Sequence, residues 1–108
     1  MSHDFGLVKD ELDKIVSVLK AFPEVERGVI FGSRALGTYK KGSDIDIALF
    51  GKHLEKAAIS ISYQLNEESA LPYFFDVVDY HGLTKLELKE HIERVGIVFY
   101  KKSHQIGL

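Results

Sequence analysis

Apolar residues recur at a spacing of three and four in three stretches of the chain. In Leu7–Phe22 this spacing places them on one face, which predicts an amphipathic helix. Leu54–Ser69 has the same pattern and predicts a second long helix. A third helix is predicted to start at a capping box formed by Thr84 and Glu87 and to run to about Arg94.

Four shorter runs of β-branched and aromatic residues predict strands between these helices. The first run ends at Gly32, where Ser33 has the side chain of a helix N-cap and the residues to Gly37 could form a short helix. This alternation predicts an α+β fold with α/β-type order, in which a mixed β-sheet of about four strands is flanked by helices. The predicted strands are Val29–Phe31, Asp44–Phe50, Tyr73–Val78 and Ile97–Tyr100.

The length and composition indicate a single domain over residues 1–108. The 14 basic and 16 acidic side chains leave a formal net charge of -2, which disfavours a general attraction to nucleic acid or to an acidic membrane. No apolar run approaches the ~20 residues of a membrane span, and the amino end lacks the pattern of a signal peptide. Cysteine is absent, so the composition fits a cytoplasmic protein without disulfides or thiolate metal sites.

Two carboxylates lie two residues apart at the start of the second predicted strand. Side chains at that spacing leave the same face of a strand, so Asp44 and Asp46 lie within reach of one cation. Like charges this close raise each other's pKa unless a cation or protons compensate. An isolated Asp-x-Asp is more often a solvated strand edge, so this pair alone does not indicate a metal site.

A third carboxylate, Asp76, interrupts the most apolar predicted strand, which we expect to be covered on both faces. A buried carboxylate without a partner is costly, so Asp76 needs one. If its strand lies beside that of Asp44 and Asp46, the three side chains can converge on one or two divalent ions. Their oxygen ligands suit Mg²⁺ or Mn²⁺. The alternative is a strand-end residue that reaches solvent, but the three aspartates together favour a metal site.

The Gly32-Ser33 pair follows a strand and precedes a helix start, where backbone N–H groups and a hydroxyl can bind an anion. Alone it is a weak signal, because most such pairs are only a turn and an N-cap. Arg34 could reach a phosphate, although an arginine there is usually solvated. Lys40 and Lys41 lie in the predicted loop before the aspartate pair.

The spacing of these motifs resembles that of a known superfamily. Gly-Ser, ten intervening residues and Asp-x-Asp, here Gly32-Ser33 and Asp44-Ile45-Asp46, form the signature of the DNA polymerase beta-like nucleotidyltransferases. Gly32–Phe50 resembles the minimal nucleotidyltransferases, called MNT or MntA-like, nearly throughout. Phe75-Asp76-Val77-Val78 resembles the strand that carries their third carboxylate. The order of elements fits over nearly the whole chain, which implies the nucleotidyltransferase fold.

The resemblance implies metal-dependent transfer of a nucleoside monophosphate, most often AMP from ATP, to an acceptor hydroxyl with release of pyrophosphate. Asp44 and Asp46 would hold the ion that binds the triphosphate. Asp76 would help to hold a second ion near the acceptor oxygen and could take the hydroxyl proton. Gly32 and Ser33 would bind the terminal phosphates. The implied cofactors are two Mg²⁺ or Mn²⁺ ions, and the nucleotide preference stays open.

Three functions compete at this point. Minimal nucleotidyltransferases are known as antitoxins that adenylylate a tyrosine of a partner HEPN-domain toxin, so the first is an enzyme with a protein acceptor. Ile59 and Tyr63, opposite the predicted buried stripe of their helix, are then candidates for partner contact. The second is a nucleotide-binding subunit that acts on its partner by contact with little catalysis. The third, transfer to RNA or a small molecule, is weakened by the acidic pI of about 6.2. Homo- or hetero-oligomerisation stays open.

Overall fold

The computed structural model describes residues 4–103, and helices and strands alternate along this range as predicted. A π-helical turn, Gln64–Glu68, continues the third helix, and a 3₁₀ turn, Tyr80–Gly82, follows the third strand. The ends of the predicted 1–108 domain lie outside the described residues. The helices are α1 (Lys9–Lys20), α2 (Ser33–Leu36), α3 (Glu55–Tyr63) and α4 (Leu86–Val95). The strands are β1 (Val25–Phe31), β2 (Ile45–Gly51), β3 (Phe75–Asp79) and β4 (Ile97–Lys101).

The four strands form one mixed sheet in the order β3-β2-β1-β4. β1 pairs antiparallel with both β2 and β4, whereas β2 and β3 are parallel. The link between β1 and β2 was compatible with either direction, and the structure shows the antiparallel return through the short helix α2. The predicted mixed sheet of about four strands flanked by helices is therefore confirmed.

Helices cover both faces of the sheet. Ile15 of α1 and Ile61 of α3 pack with Ile47 in the larger core. On the other face, which also carries Asp46, Ile92 of α4 packs with Ala48 in a smaller core. Ile47 and Ala48 are adjacent residues of β2 that face opposite ways, as alternation along a strand requires. Within residues 4–103, no helix is long and apolar enough to span a membrane.

Two predicted details are wrong. β3 begins at Phe75, and Phe75 is the one buried residue among its five, so the strand is not covered on both faces; the preceding Phe74 is 59% exposed. The Thr84–Glu87 capping box does not form, because the N-cap of α4 is Lys85, and no side chain caps the helix. Glu87 is consequently the second residue of α4, one position short of the site from which it could bond back.

Candidate active site

The three aspartates predicted from the sequence meet at one end of the sheet. Asp46 in β2 lies opposite Phe31, the last residue of β1, on one side and opposite Asp76 of β3 on the other. Asp44 lies one residue before β2 and is exposed. The expectation that the strands of the aspartate pair and of Asp76 are neighbours is confirmed, and parallel pairing places Asp46 and Asp76 in register.

Gly32 approaches the Asp46 carboxylate so closely that no side chain fits between them. Its φ is +71°, and a Cβ atom added there would lie 2.2 Å from Asp46 Oδ2. Both the backbone conformation and the lack of space require glycine at this position. The turn after β1 is thus packed directly against the central carboxylate of the site.

Asp46 carries the strongest electrostatic perturbation among the three aspartates. Burial is the main cause that raises its pKa, to about 6, and the charges of Asp76 and Asp44 raise it further. The charges of Asp44 and Asp76 thus act on Asp46, which places the three carboxylates in one electrostatic cluster. Such a group is stabilised by protons or by a cation between the carboxylates.

The structure corrects the expected burial of Asp76. Its side chain is exposed, because β3 is an edge strand and the residue lies on the open part of the sheet face, whereas Asp46 is partly buried. The carboxylate that most needs compensation is therefore Asp46. All three offer only oxygen atoms, which suit Mg²⁺ or Mn²⁺. Within residues 4–103, no three acidic or histidine side chains form a ready-made metal cage.

Helix α2 begins at Ser33, and the N-cap of this helix is Gly32. The predicted N-cap role of Ser33 is therefore wrong. The Gly32 carbonyl accepts hydrogen bonds from the backbone N–H groups of Ala35 and Leu36, at 3.1 and 3.0 Å. No side chain caps the helix, so the partly exposed Ser33 hydroxyl is not used as a cap. Its phosphate contact stays a prediction.

Arg34 is buried, with only 4% of its surface exposed, and holds the backbone of two segments. Its Nε and Nη2 donate to the Ser43 carbonyl at 3.1 and 2.8 Å, and Nη1 donates to the Phe5 carbonyl at 2.8 Å. The rings of Tyr39 and Tyr73 lie 5.2 and 5.0 Å from its guanidinium carbon. The phosphate contact of Arg34 stays a prediction. The observed hydrogen bonds give Arg34 a different role, which is to hold the backbone at Ser43 and Phe5.

This role was missed because the sequence indicated only an arginine in a first helical turn. Ser43 directly precedes Asp44, so Arg34 fixes the point at which the loop enters the carboxylate cluster. Lys40 and Lys41 in the same loop are exposed, as expected of solvated side chains. By strand alternation, Asp79 shares the sheet face of Phe75 and Val77, opposite to Asp76.

Comparison with known proteins identifies the family to which the chain belongs. The family profile described as "Polymerase beta, Nucleotidyltransferase" matches residues 13–105 and thus includes all three aspartates. The chain belongs to this family. It is a nucleotidyltransferase domain, as the glycine-serine turn and the aspartate pair predicted. No curated protein sequence matches the chain.

Several solved structures that are similar to this chain come from toxin–antitoxin complexes. A chain of a crystal structure described as "the toxin-antitoxin with AMP-PNP" is 26% identical, with a TM-score of 0.70 over 84% of this chain and 73% of that one. A chain of the MntA-HepT toxin–antitoxin is 22% identical, with a TM-score of 0.66 over 88% and 74%. A chain of the tri-AMPylated Shewanella oneidensis HEPN toxin in complex with MNT antitoxin is 23% identical, with a TM-score of 0.66 over 87% and 72%. The last two likenesses concern the fold alone.

Proposed function

We propose that this chain is a metal-dependent nucleotidyltransferase that transfers AMP from ATP to a tyrosine hydroxyl of a HEPN-type partner protein. The observation that carries this proposal is the in-register pair Asp46 and Asp76, with Gly32 packed against Asp46. Support for the donor and acceptor comes from similar structures, one with AMP-PNP and one of an AMPylated HEPN toxin with its MNT antitoxin. We propose the acceptor and the metal from similarity to these proteins, and the site from the carboxylates and the glycine turn of this chain.

In this reaction the acceptor oxygen forms a bond to the α-phosphorus of ATP, and the bond from that phosphorus to the β-phosphate bridging oxygen breaks. Pyrophosphate leaves, and the hydroxyl proton passes to Asp76, which is exposed and therefore open to an acceptor from solution. Asp44 and Asp46 would hold the divalent ion on the triphosphate side, and Asp76 would help to hold a second. Bound ions would offset negative charge on the attacking and leaving oxygens.

The turn after β1 would bind the phosphates that leave. Ser33 is partly exposed at the start of α2, and Gly32 lets the backbone approach the carboxylate cluster without a side chain in the way. A short turn of this kind presents N–H groups to an anion at a position fixed by β1. We assign the terminal phosphates to this turn.

The partner would contact the exposed side of α3. Ile59 and Tyr63 lie one helical turn apart and are 72% and 52% exposed, as their predicted position opposite the buried stripe requires. Phe74, at the entrance to β3, is also exposed, two residues before Asp76. An acceptor protein seated on these apolar side chains would lie beside the strand that carries the proposed base.

The proposal is tested by incubating the chain with Mg²⁺, α-labelled ATP and its HEPN-type partner, then following label onto the partner. Wild type is expected to transfer label, whereas Asp44→Asn and Asp46→Asn are expected to lose at least about 100-fold in rate. Asp79→Asn is the matched control, because Asp79 lies in the strand of Asp76 and faces the other way. Transfer that survives both substitutions would overturn the proposal.

The same variants separate catalysis from action by contact. A protein that acts only by contact would bind and neutralise its partner without label transfer, and the Asp44→Asn and Asp46→Asn variants would behave as wild type. Label on RNA or on a small molecule in place of the partner would assign a different acceptor to the same site. A comparison of ATP, GTP, CTP and UTP as donors determines the nucleotide preference.

A further inference from the structure

The side-chain amide of Asn66 pairs with the backbone of the residue before Asp76. Asn66 Oδ1 accepts a hydrogen bond from the Phe75 N–H at 2.8 Å, and Asn66 Nδ2 donates to the Phe75 carbonyl at 3.0 Å. A primary amide has an acceptor oxygen and two donor hydrogens, so it can bond to the N–H and to the carbonyl of one residue at the same time. Asn66 Nδ2 also donates to Ser62, to its carbonyl at 3.0 Å and to its hydroxyl oxygen at 3.3 Å.

This pairing occurs on the free edge of the sheet. The Phe74 carbonyl accepts a bond from the Ile45 N–H of β2 at 2.9 Å, so the backbone is held by β2 on that side. Phe75 presents its N–H and carbonyl to the opposite side, where β3 has no neighbouring strand. Asn66 occupies that side and bonds as the next strand would. The start of β3 is therefore fixed from both sides, directly before Asp76.

The local helix geometry places Asn66 at this edge. Asn66 belongs to the π-helical turn Gln64–Glu68, which extends α3, and such turns are frequent at functional sites. Asparagine is among the weaker helix formers, so helix propensity does not account for it there. The adjacent Leu65 is fully buried in the larger core, which fixes the turn against the sheet.

We infer that Asn66 is a positioning residue for Asp76: it holds Phe75 so that the Asp76 carboxylate stays opposite Asp46. This inference rests on the proposed function, in which Asp76 acts at the acceptor oxygen. Without Asn66, the start of β3 would keep its backbone hydrogen bonds to β2 and the buried Phe75 side chain, but the Phe75 N–H and carbonyl would lose their partner at the sheet edge. Asp76 would then sample more positions, while Gly32 and Ser33, held by β1 and α2, would keep theirs.

The test is Asn66→Ala in the full chain, with Ser62→Ala as the matched control that keeps both Phe75 bonds. For Asn66→Ala we expect kcat for label transfer to the partner to fall about 10- to 100-fold. The KM for ATP should change little, since the phosphate turn is untouched, and the Mg²⁺ concentration for half-maximal rate should rise. Amide hydrogen exchange at Phe75 should accelerate, because its acceptor is lost. Ser62→Ala should match wild type in all four measurements.

Asn66→Asp serves if the alanine variant does not fold, because it keeps the acceptor for the Phe75 N–H and loses the donor to the carbonyl. The same separation of kcat from KM is expected. Unchanged kcat, a loss confined to the KM for ATP, or an equal loss in Ser62→Ala would overturn the inference. If wild type transfers no label, the proposed function fails. In that case exchange at Phe75 alone decides whether Asn66 holds the strand.

Discussion

At the scale of single residues, the behaviour of Asp46 dominates the site. Its pKa is raised to about 6 by burial, then by the charges of Asp76 and Asp44. The folded chain therefore keeps a proton on Asp46 between about pH 4 and pH 6 that the unfolded chain releases. This makes the free energy of unfolding fall as pH rises through that window.

Replacing the Asp46 carboxylate by an uncharged side chain should abolish this pH dependence of the free energy of unfolding. Asp46→Asn is expected to be more stable than wild type above pH 6, by about 1 kcal/mol once solvent screening of a partly exposed group is allowed for. Urea unfolding at pH 4 to 8 measures the difference. Mg²⁺ should raise the Tm of wild type and leave that of Asp46→Asn nearly unchanged. A parallel pH dependence in the two proteins would contradict this assignment.

Gly32 gives a second prediction at this scale. Gly32→Ala combines a φ of +71° with a Cβ atom 2.2 Å from Asp46 Oδ2, so it should displace the carboxylate and reduce transfer at least about tenfold. Gly37→Ala is the control, since its φ is +81° but no atom lies within 4 Å of the added Cβ. Gly37→Ala should lower the free energy of unfolding by about 1 kcal/mol and leave the rate of transfer unchanged. Equal activities of the two variants would contradict the role of Gly32.

At the scale of elements, the loop before β2 depends on a buried side chain. Arg34→Ala removes three hydrogen bonds and leaves the Ser43 and Phe5 carbonyls without these donors. We expect a loss of about 2–3 kcal/mol in the free energy of unfolding, and faster amide exchange in the loop. Arg27→Ala is the control, because the exposed Arg27 side chain stacks on Phe50 at the surface. Its loss should lower the free energy of unfolding by less than about 1 kcal/mol. Similar losses in both variants would contradict the anchoring role.

Element positions were largely predictable because they depend on local pattern. The apolar spacing in Leu7–Phe22 and the run before Gly32 identify α1 and β1 without knowledge of the rest of the chain. The Thr84–Glu87 capping box and the Ser33 N-cap failed locally, because each helix begins one residue away from its predicted start. The expected burial of the third strand failed because it depends on partners distant in sequence. Tyr73–Val78 was interpreted as a buried strand because aromatic and β-branched residues fill most of it, whereas the place of β3 at the sheet edge depends on the strand order.

At the scale of the whole molecule, the site is assembled by pairing. The Asp44-x-Asp46 spacing predicted two carboxylates on one face, but only the parallel register places Asp76 opposite Asp46. The burial of Arg34 and the hydrogen bonds of Asn66 also depend on contacts between different segments of the chain. A sequence motif thus predicted the residues that we propose to carry the chemistry, and not the residues that hold their backbone in place.

The partner surface is tested at this scale too. Ile59→Lys and Tyr63→Lys should weaken binding of the HEPN-type partner at least about tenfold, since each places a charge in an apolar contact. Val98→Lys is the control, because Val98 is exposed on β4, which lies at the edge of the sheet opposite to β3. Isothermal titration calorimetry measures all three affinities. Equal weakening by the control, or none by the α3 variants, would place the contact elsewhere.

The most direct test of the central claim compares two labels of ATP in the reaction with Mg²⁺ and the HEPN-type partner. If the carboxylate cluster around Asp46 catalyses nucleotidyl transfer, label at the α-phosphate will appear on the partner. Label at the γ-phosphate will then appear only in pyrophosphate. Both signals should disappear with Asp46→Asn. Transfer of the γ-label to the partner, or no transfer of the α-label by wild type, would contradict the account.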